Sequence, residues 1–324
     1  MLTALEHIKK TQIDWAVARQ IRVDSDGYTL SLNDNLFCHL SSDSREEFRF
    51  GKGDELGMPG TRGKMQALHS SAALVVNVFE YWRKKDPSAI AKICGASDRN
   101  SVMHYEAKHA NELGGIPSHL DVEFSDSSNS VPLAVEAKFT ETFHRHTRRT
   151  LALGYLNKPN LWKGLPGCER LAHRLGDEER KRTSFEYLDA PQLLKHILGL
   201  ATEFGPRGFA LLYLWYGLQS LEASQHWREI IEFESMITGD VDFRVMTYQD
   251  LFADILKIPG VDQAYLDYLK TRYFYEGYNS SPDKMLAAED KYSVATADWG
   301  KLKERMAMLK PSLRFGGRMN DIDG

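Results

Sequence analysis

Three consecutive segments hold the residues best suited to chemistry: HLDVEF (119–124), SDSSNS (125–130) and VPLAVEAKF (131–139). Side chains alternate faces along a strand, so Glu136 and Lys138 share one face while Val135, Ala137 and Phe139 take the other. On the preceding strand Asp121 shares a face with Glu123. The polar segment between them has turn composition and predicts an antiparallel hairpin. If the hairpin closes at Phe124 and Val131, Asp121 and Glu136 stand directly opposite or one diagonal step apart, roughly 7 Å. Two carboxylates at that reach grip one divalent cation. Two acids and an ammonium on an otherwise apolar hairpin are costly unless compensated. A hard cation such as Mg²⁺, with Mn²⁺ as substitute, compensates them while keeping several waters. Lys138 would then orient or deprotonate an attacking water and offset transition-state charge. This is the equipment of phosphodiester hydrolysis.

The E-x-K spacing alone is common. Glu106–Ala107–Lys108, Glu179–Arg180–Lys181 and Glu289–Asp290–Lys291 share it. The last two sit in strongly charged surroundings, as on solvated faces. Glu106 lies on a strand candidate, but its nearest upstream aspartate, Asp98, is in a turn. Glu136 is therefore the preferred glutamate, and Glu106 is read as an additional acid from the neighbouring strand or as a salt-bridged edge residue. Gln192 and Lys195 lie one turn apart on the polar side of a helix, within reach of a scissile phosphate or on a solvated face. Glu80 is read as a polar residue at the solvent edge of its helix, and Glu141 as facing away from Glu136.

These residues need a scaffold. A buried, nearly all-apolar helix is expected over about 72–85, followed by strands Val102–Lys108, His119–Phe124 and Val131–Phe139. A second helix is expected at Gln192–Phe204, bounded by Pro191 and Gly205. Gly208–Tyr216 reads as a central strand covered on both faces, then a strand at Asp242–Thr247 and a helix from Tyr248 to Ile255. The fold class is α/β: a mixed sheet flanked by helices, in the order helix, three-strand meander, helix, strand, strand. Residues 1–65 form an N-terminal extension packing on the core, with a helix over about Thr3–Gln20 and a short strand at Gly27–Leu32. Residues 66–255 form the core, and 256–324 a helical extension with a loose tail. The glycine-rich GKGDELGMPGTRGK (51–64) lacks the order of a phosphate loop and reads as a flexible connection. The aromatic YLDYLKTRYFYEGY (265–278) reads as packing.

The chain has 324 residues, 42% hydrophobic and 27% charged, with a net charge of −4. That charge gives no global pull toward nucleic acid, so a local basic surface is needed. Lys138 to Arg182 supplies one, with eleven Lys or Arg against five acids. His144 and His146 lack a nearby third metal ligand. Three distant cysteines give neither a disulfide framework nor a zinc motif. The N-terminus has no apolar signal core and the longest apolar run is too short to span a bilayer, so a cytoplasmic location is expected.

In these residues the sequence resembles the PD-(D/E)xK nuclease superfamily, with Asp121 at the metal-binding aspartate and Glu136–Ala137–Lys138 at the E-x-K element. HSSAALVVNVFEYW, HLDVEF, VEAKFTE and QLLKHILGL together resemble a bacterial group of restriction endonucleases, over about Leu68 to Asp250. The proline that often neighbours the aspartate is missing; Pro117 is four residues too early. The resemblance implies a restriction-endonuclease-like core and a metal site of Asp121, Glu136 and the Ala137 carbonyl. It also implies a double-stranded DNA substrate, a homodimer, and a possible cognate methyltransferase. A nuclease acting on RNA, branched or single-stranded DNA, or a catalytically inactive nucleic-acid-binding protein, is the alternative.

Overall fold

The computed structural model describes residues 2–51, 53–58, 60–96, 101–125, 131–146, 150–176 and 185–274. The helices are α1 (Ala4–Ala18), α2 (Ser42–Phe50), α3 (Ser71–Lys85), α4 (Pro87–Cys94), α5 (Gly154–Asn157), α6 (Pro166–Gly176), α7 (Ala190–Phe204), α8 (Leu221–Ile237), α9 (Tyr248–Ile255) and α10 (Gln263–Arg272). The strands are β1 (Val102–His109), β2 (Ser118–Ser125), β3 (Leu133–Lys138), β4 (Ala210–Trp215) and β5 (Asp242–Thr247). They form one sheet in the order β1-β2-β3-β4-β5, antiparallel from β1 to β3 and parallel from β3 to β5. Parallel neighbours need long crossovers, and here helices supply them: α6 and α7 lead into β4, and α8 leads into β5.

Helices cover both faces. On one face Phe124 of β2 meets Phe79 of α3 at 6.1 Å between ring centroids. The opposite face meets α7 and α8, with Trp215 stacked on Trp227 at 6.2 Å. All six residues of β4 are buried, as a continuous apolar strand between two helical layers must be. The α/β architecture and strand order agree with the expectation. Among the described residues, no helix is long and apolar enough to cross a membrane.

Several local expectations differ. Gly27–Leu32 forms only isolated bridges, Val23 with Thr29 and Tyr28 with Ala67. The segment after β3 contains α6, and α8 was not anticipated at all. The described residues of the glycine-rich segment pack closely on one another: Gly57 has φ +69°, and a Cβ on Gly63 would lie 2.3 Å from the Glu55 carbonyl. Glu80 is fully buried, not at a solvent edge. Its carboxylate accepts from Ser41 N and Ser44 Oγ, both at 2.8 Å, fixing the start of α2.

Residues before the core share its interior: Ile8, Leu36 and Phe48 belong to the same buried cluster as the sheet. Arg272, at the end of α10, is fully buried. It donates to Gln12 Oε1 at 3.0 Å, to the Asn35 carbonyl at 2.8 Å and to Asn35 Oδ1 at 2.5 Å. Tyr265 and Tyr273 are buried too, so the described part of the aromatic stretch packs as expected. Its last four residues, the turn residues 126–130 and the Glu179 and Glu289 motifs lie outside the described residues.

Candidate active site

The register of β2 against β3 pairs Val122 with Val135 and Glu123 with Ala134. Continuing it sets Asp121 directly opposite Glu136, the nearer of the two expected placements. Backbone pairing gives way at this point, and Asp121 Oδ2 instead accepts from Ala137 N at 2.7 Å. The Asp121 carboxylate makes no other hydrogen bond among the described residues. The Ala137 carbonyl accepts from Ser71 Oγ at 3.3 Å.

Lys138 Nζ stands 2.5 Å from Glu136 Oε1 and donates to Gln192 Oε1 at 2.9 Å. The polar side of α7 therefore meets the Lys138 ammonium through Gln192. One turn further along the helix, His196 places Nε2 3.2 Å from Glu136 Oε2. His196 is buried, and neither of its ring nitrogens makes a hydrogen bond, so the Nε2 approach to Glu136 is a close charge contact. Sequence reasoning passed over it because it borders the apolar stripe; its i+4 spacing from Gln192 was the available signal. Lys195, on the neighbouring face, does not join this cluster.

Glu106 comes from β1, whose register places it opposite Asp121, between the Tyr105–Val122 and Ala107–Leu120 pairs. Its φ is +52°, a left-handed conformation that costs a non-glycine residue about 1–3 kcal/mol. The carboxylate is turned to His119 Nδ1 at 3.2 Å, and buried His119 Nε2 is left without a partner. Lys108, the lysine of that rival E-x-K, is occupied elsewhere, donating to the Phe50 carbonyl. The glycine-rich loop closes over this edge: a Cβ on Gly51 would lie 2.9 Å from Glu106 Oε2. The same loop carries Glu55, which was not singled out in the sequence. The strand ends at Lys138, so alternation does not extend to Glu141, whose carboxylate accepts from Phe139 N at 2.9 Å and whose charge is felt at Lys138.

The electrostatics are those of excess negative charge in a confined place. Burial, reinforced by the charge on Glu136, pushes the Asp121 carboxyl well above its ordinary range. Burial opposes charge on Glu136 as well, yet Lys138 and then His196 hold its carboxyl low. Lys138 is half-buried and burial opposes its charge, but Glu136, ahead of Glu141 and Asp121, keeps its ammonium firmly protonated. Burial and the Glu106 charge raise Glu55 to about 7. Among the described residues, no three His, Cys, Asp or Glu side chains converge as a complete metal cage. Mg²⁺ does not need one, because it binds through one or two carboxylates and retains waters. Asp121 and Glu136, face to face with a surplus of charge and one sparsely bonded carboxylate, fit such an ion.

Beside the acids lies a cleft of about 570 Å³ whose walls include Glu106, His119, Gln192, Lys195, His196 and Tyr155. The basic stretch after β3 is only partly described: Arg148, Arg149, Arg180, Lys181 and Arg182 lie outside the described residues. Within it, Lys163 and Arg170 are exposed. Lys158 and Arg174 pair with Glu112 and Glu232.

A family model described as restriction endonuclease associating with ARP matches residues 6–274. The match takes in the glycine-rich loop and α10 as well as the sheet. No curated protein and no solved structure matches the chain.

Proposed function

The chain belongs to the family of restriction endonucleases associating with ARP, and from that membership we propose that it is a Mg²⁺-dependent endonuclease of PD-(D/E)xK type. Its substrate is double-stranded DNA. The observation that carries this reading is the meeting of Asp121 and Glu136 across adjacent strands, with the Lys138 ammonium 2.5 Å from Glu136.

Asp121 and Glu136, beside the Ala137 carbonyl, would hold the ion, which supplies Lewis acidity and a water of lowered pKa when bound. The chain's own groups do the rest. Lys138 stays charged among three acids, which favours offsetting phosphate charge and orienting the water over deprotonating it. Gln192 fixes the Lys138 ammonium, and His196 positions the Glu136 carboxylate from the other side. Glu106 adds a third acid at the border of the site, held by His119. The family's name couples its endonucleases to ARP, and association with ARP is part of the proposal, as is a homodimer that cuts both strands.

Plasmid and phage DNA incubated with Mg²⁺ or Mn²⁺ test the reading. Wild type should nick or linearise the DNA, while Glu136→Ala and Lys138→Ala abolish cleavage and Lys138→Ala retains DNA binding in a mobility-shift assay. Binding by wild type without cleavage of any nucleic acid would favour the catalytically inactive alternative.

A further inference from the structure

Part of the cleft beside the acids has no task in the hydrolysis itself. At about 570 Å³ it falls within the ~300–1,000 Å³ common for small-ligand sites, far more room than a phosphodiester group needs. Its lining is of two kinds. Tyr155 offers an aromatic ring, with the Lys195 ammonium 5.8 Å from the ring centroid. Ile116, 68% exposed, and Pro117 add apolar surface next to them. Gln192 and His196 are shared with the acids, so the cleft opens directly onto the candidate active site. Lys195 lies less than one turn of α7 from Gln192, about 4.5 Å along the helix axis.

We propose that this cleft is a nucleotide subsite: it takes one nucleobase against Tyr155, with the attached phosphate at Lys195, from the strand being cut. This rests on the nuclease reading and adds a contact to the same site. A ring face and an ammonium together match a base and its phosphate, and neither alone distinguishes a nucleotide from other ligands. Base–aromatic stacking tolerates any base, because every base has a π-face. In duplex DNA the base facing this cleft must leave the stack, and stacking on Tyr155 offsets that loss.

Saturation-transfer NMR on the full chain, with dAMP as probe, tests the subsite. Base protons should receive saturation from wild type, and deoxyribose 5-phosphate should compete poorly. Tyr155→Ala should weaken dAMP binding at least tenfold, Tyr155→Phe should preserve it, and Lys195→Met should weaken it, with thermal midpoints near wild type. A ten-nucleotide single strand should displace dAMP. Failure of the strand to displace it would show a site for free nucleotides and overturn the assignment to the cut strand. Absence of base saturation, or equal binding by Tyr155→Ala, overturns the subsite altogether. Plasmid cleavage measured in parallel separates the two ideas. Cleavage without dAMP binding removes only the subsite, whereas Tyr155-dependent dAMP binding without cleavage of any nucleic acid supports the subsite and overturns the nuclease.

Discussion

Two sets of carboxylates, buried ones on helices and buried or half-buried ones on strands, are built into this protein and are treated in opposite ways. Glu229 on α8 is 1% exposed. It accepts from the backbone N–H groups of Glu186, Tyr187 and Leu188, each at 2.8 Å, and from Gln225 at 3.1 Å. Glu80 on α3 is likewise satisfied by Ser41 and Ser44. Each helix acid ties down a loop. The strand acids are crowded together instead: Asp121 has one hydrogen bond, Glu136 depends on Lys138 and His196, and Glu106 sits on a left-handed backbone. A fully bonded buried carboxylate is spent on structure; an under-bonded cluster retains capacity for a ligand.

Neutralising a strand acid should break this contrast most visibly. Asp121→Asn should lower Mg²⁺-dependent cleavage at least ~10³-fold, as expected for loss of direct charge stabilisation at a reacting phosphate, while the thermal midpoint holds or rises. A matching loss of stability would mean Asp121 is a structural acid like Glu229. The converse change is Glu229→Ala, which strands three backbone donors and should cost about 3 kcal/mol in urea denaturation, with cleavage per folded molecule within twofold of wild type. Gln192→Ala sharpens the boundary between the sets, because Gln192 touches an active-site group from a helix; a roughly tenfold fall in cleavage, ~1.4 kcal/mol, is expected with little change in stability. The smallest effect concerns His109, held between Glu203 at 2.7 Å and Glu123 at 2.8 Å. Burial opposes its charge, but those two acids raise it above 6.5. Its contribution is therefore complete below pH 6.5 and fades as pH rises through the folded value. Denaturation midpoints of wild type should fall more steeply from pH 6.5 upward than those of His109→Gln.

The strand acids were legible in sequence because side-chain alternation has a period of two and a short hairpin fixes register within a step. That is enough to bring Asp121 to Glu136, and the continuous apolar run of β4 marks it as a central strand covered on both faces. What was not legible depends on position beyond one element. His196 reads as part of an apolar stripe until α7 is seen facing β3. Glu55 lies in a glycine-rich segment whose closure on Glu106 follows from tertiary contact. The helix α8 was missed because LEASQHWREIIEFESMI mixes charge throughout, although Ala223, Trp227, Ile230 and Ile231 keep helical spacing. Glu80 was misplaced for a related reason: an acid within an apolar helix looks solvent-bound unless its partners on α2 are known.

The anchoring of Arg272 sets a schedule on the ribosome. Asn35 and Arg272 are 237 positions apart, which at about 5–20 residues per second is roughly 10–50 s of translation. Until then the early segments lack the guanidinium that their polar groups enclose. The polar groups of Gln12 and Asn35 that enclose Arg272 therefore wait, unfilled, for a residue made long after them.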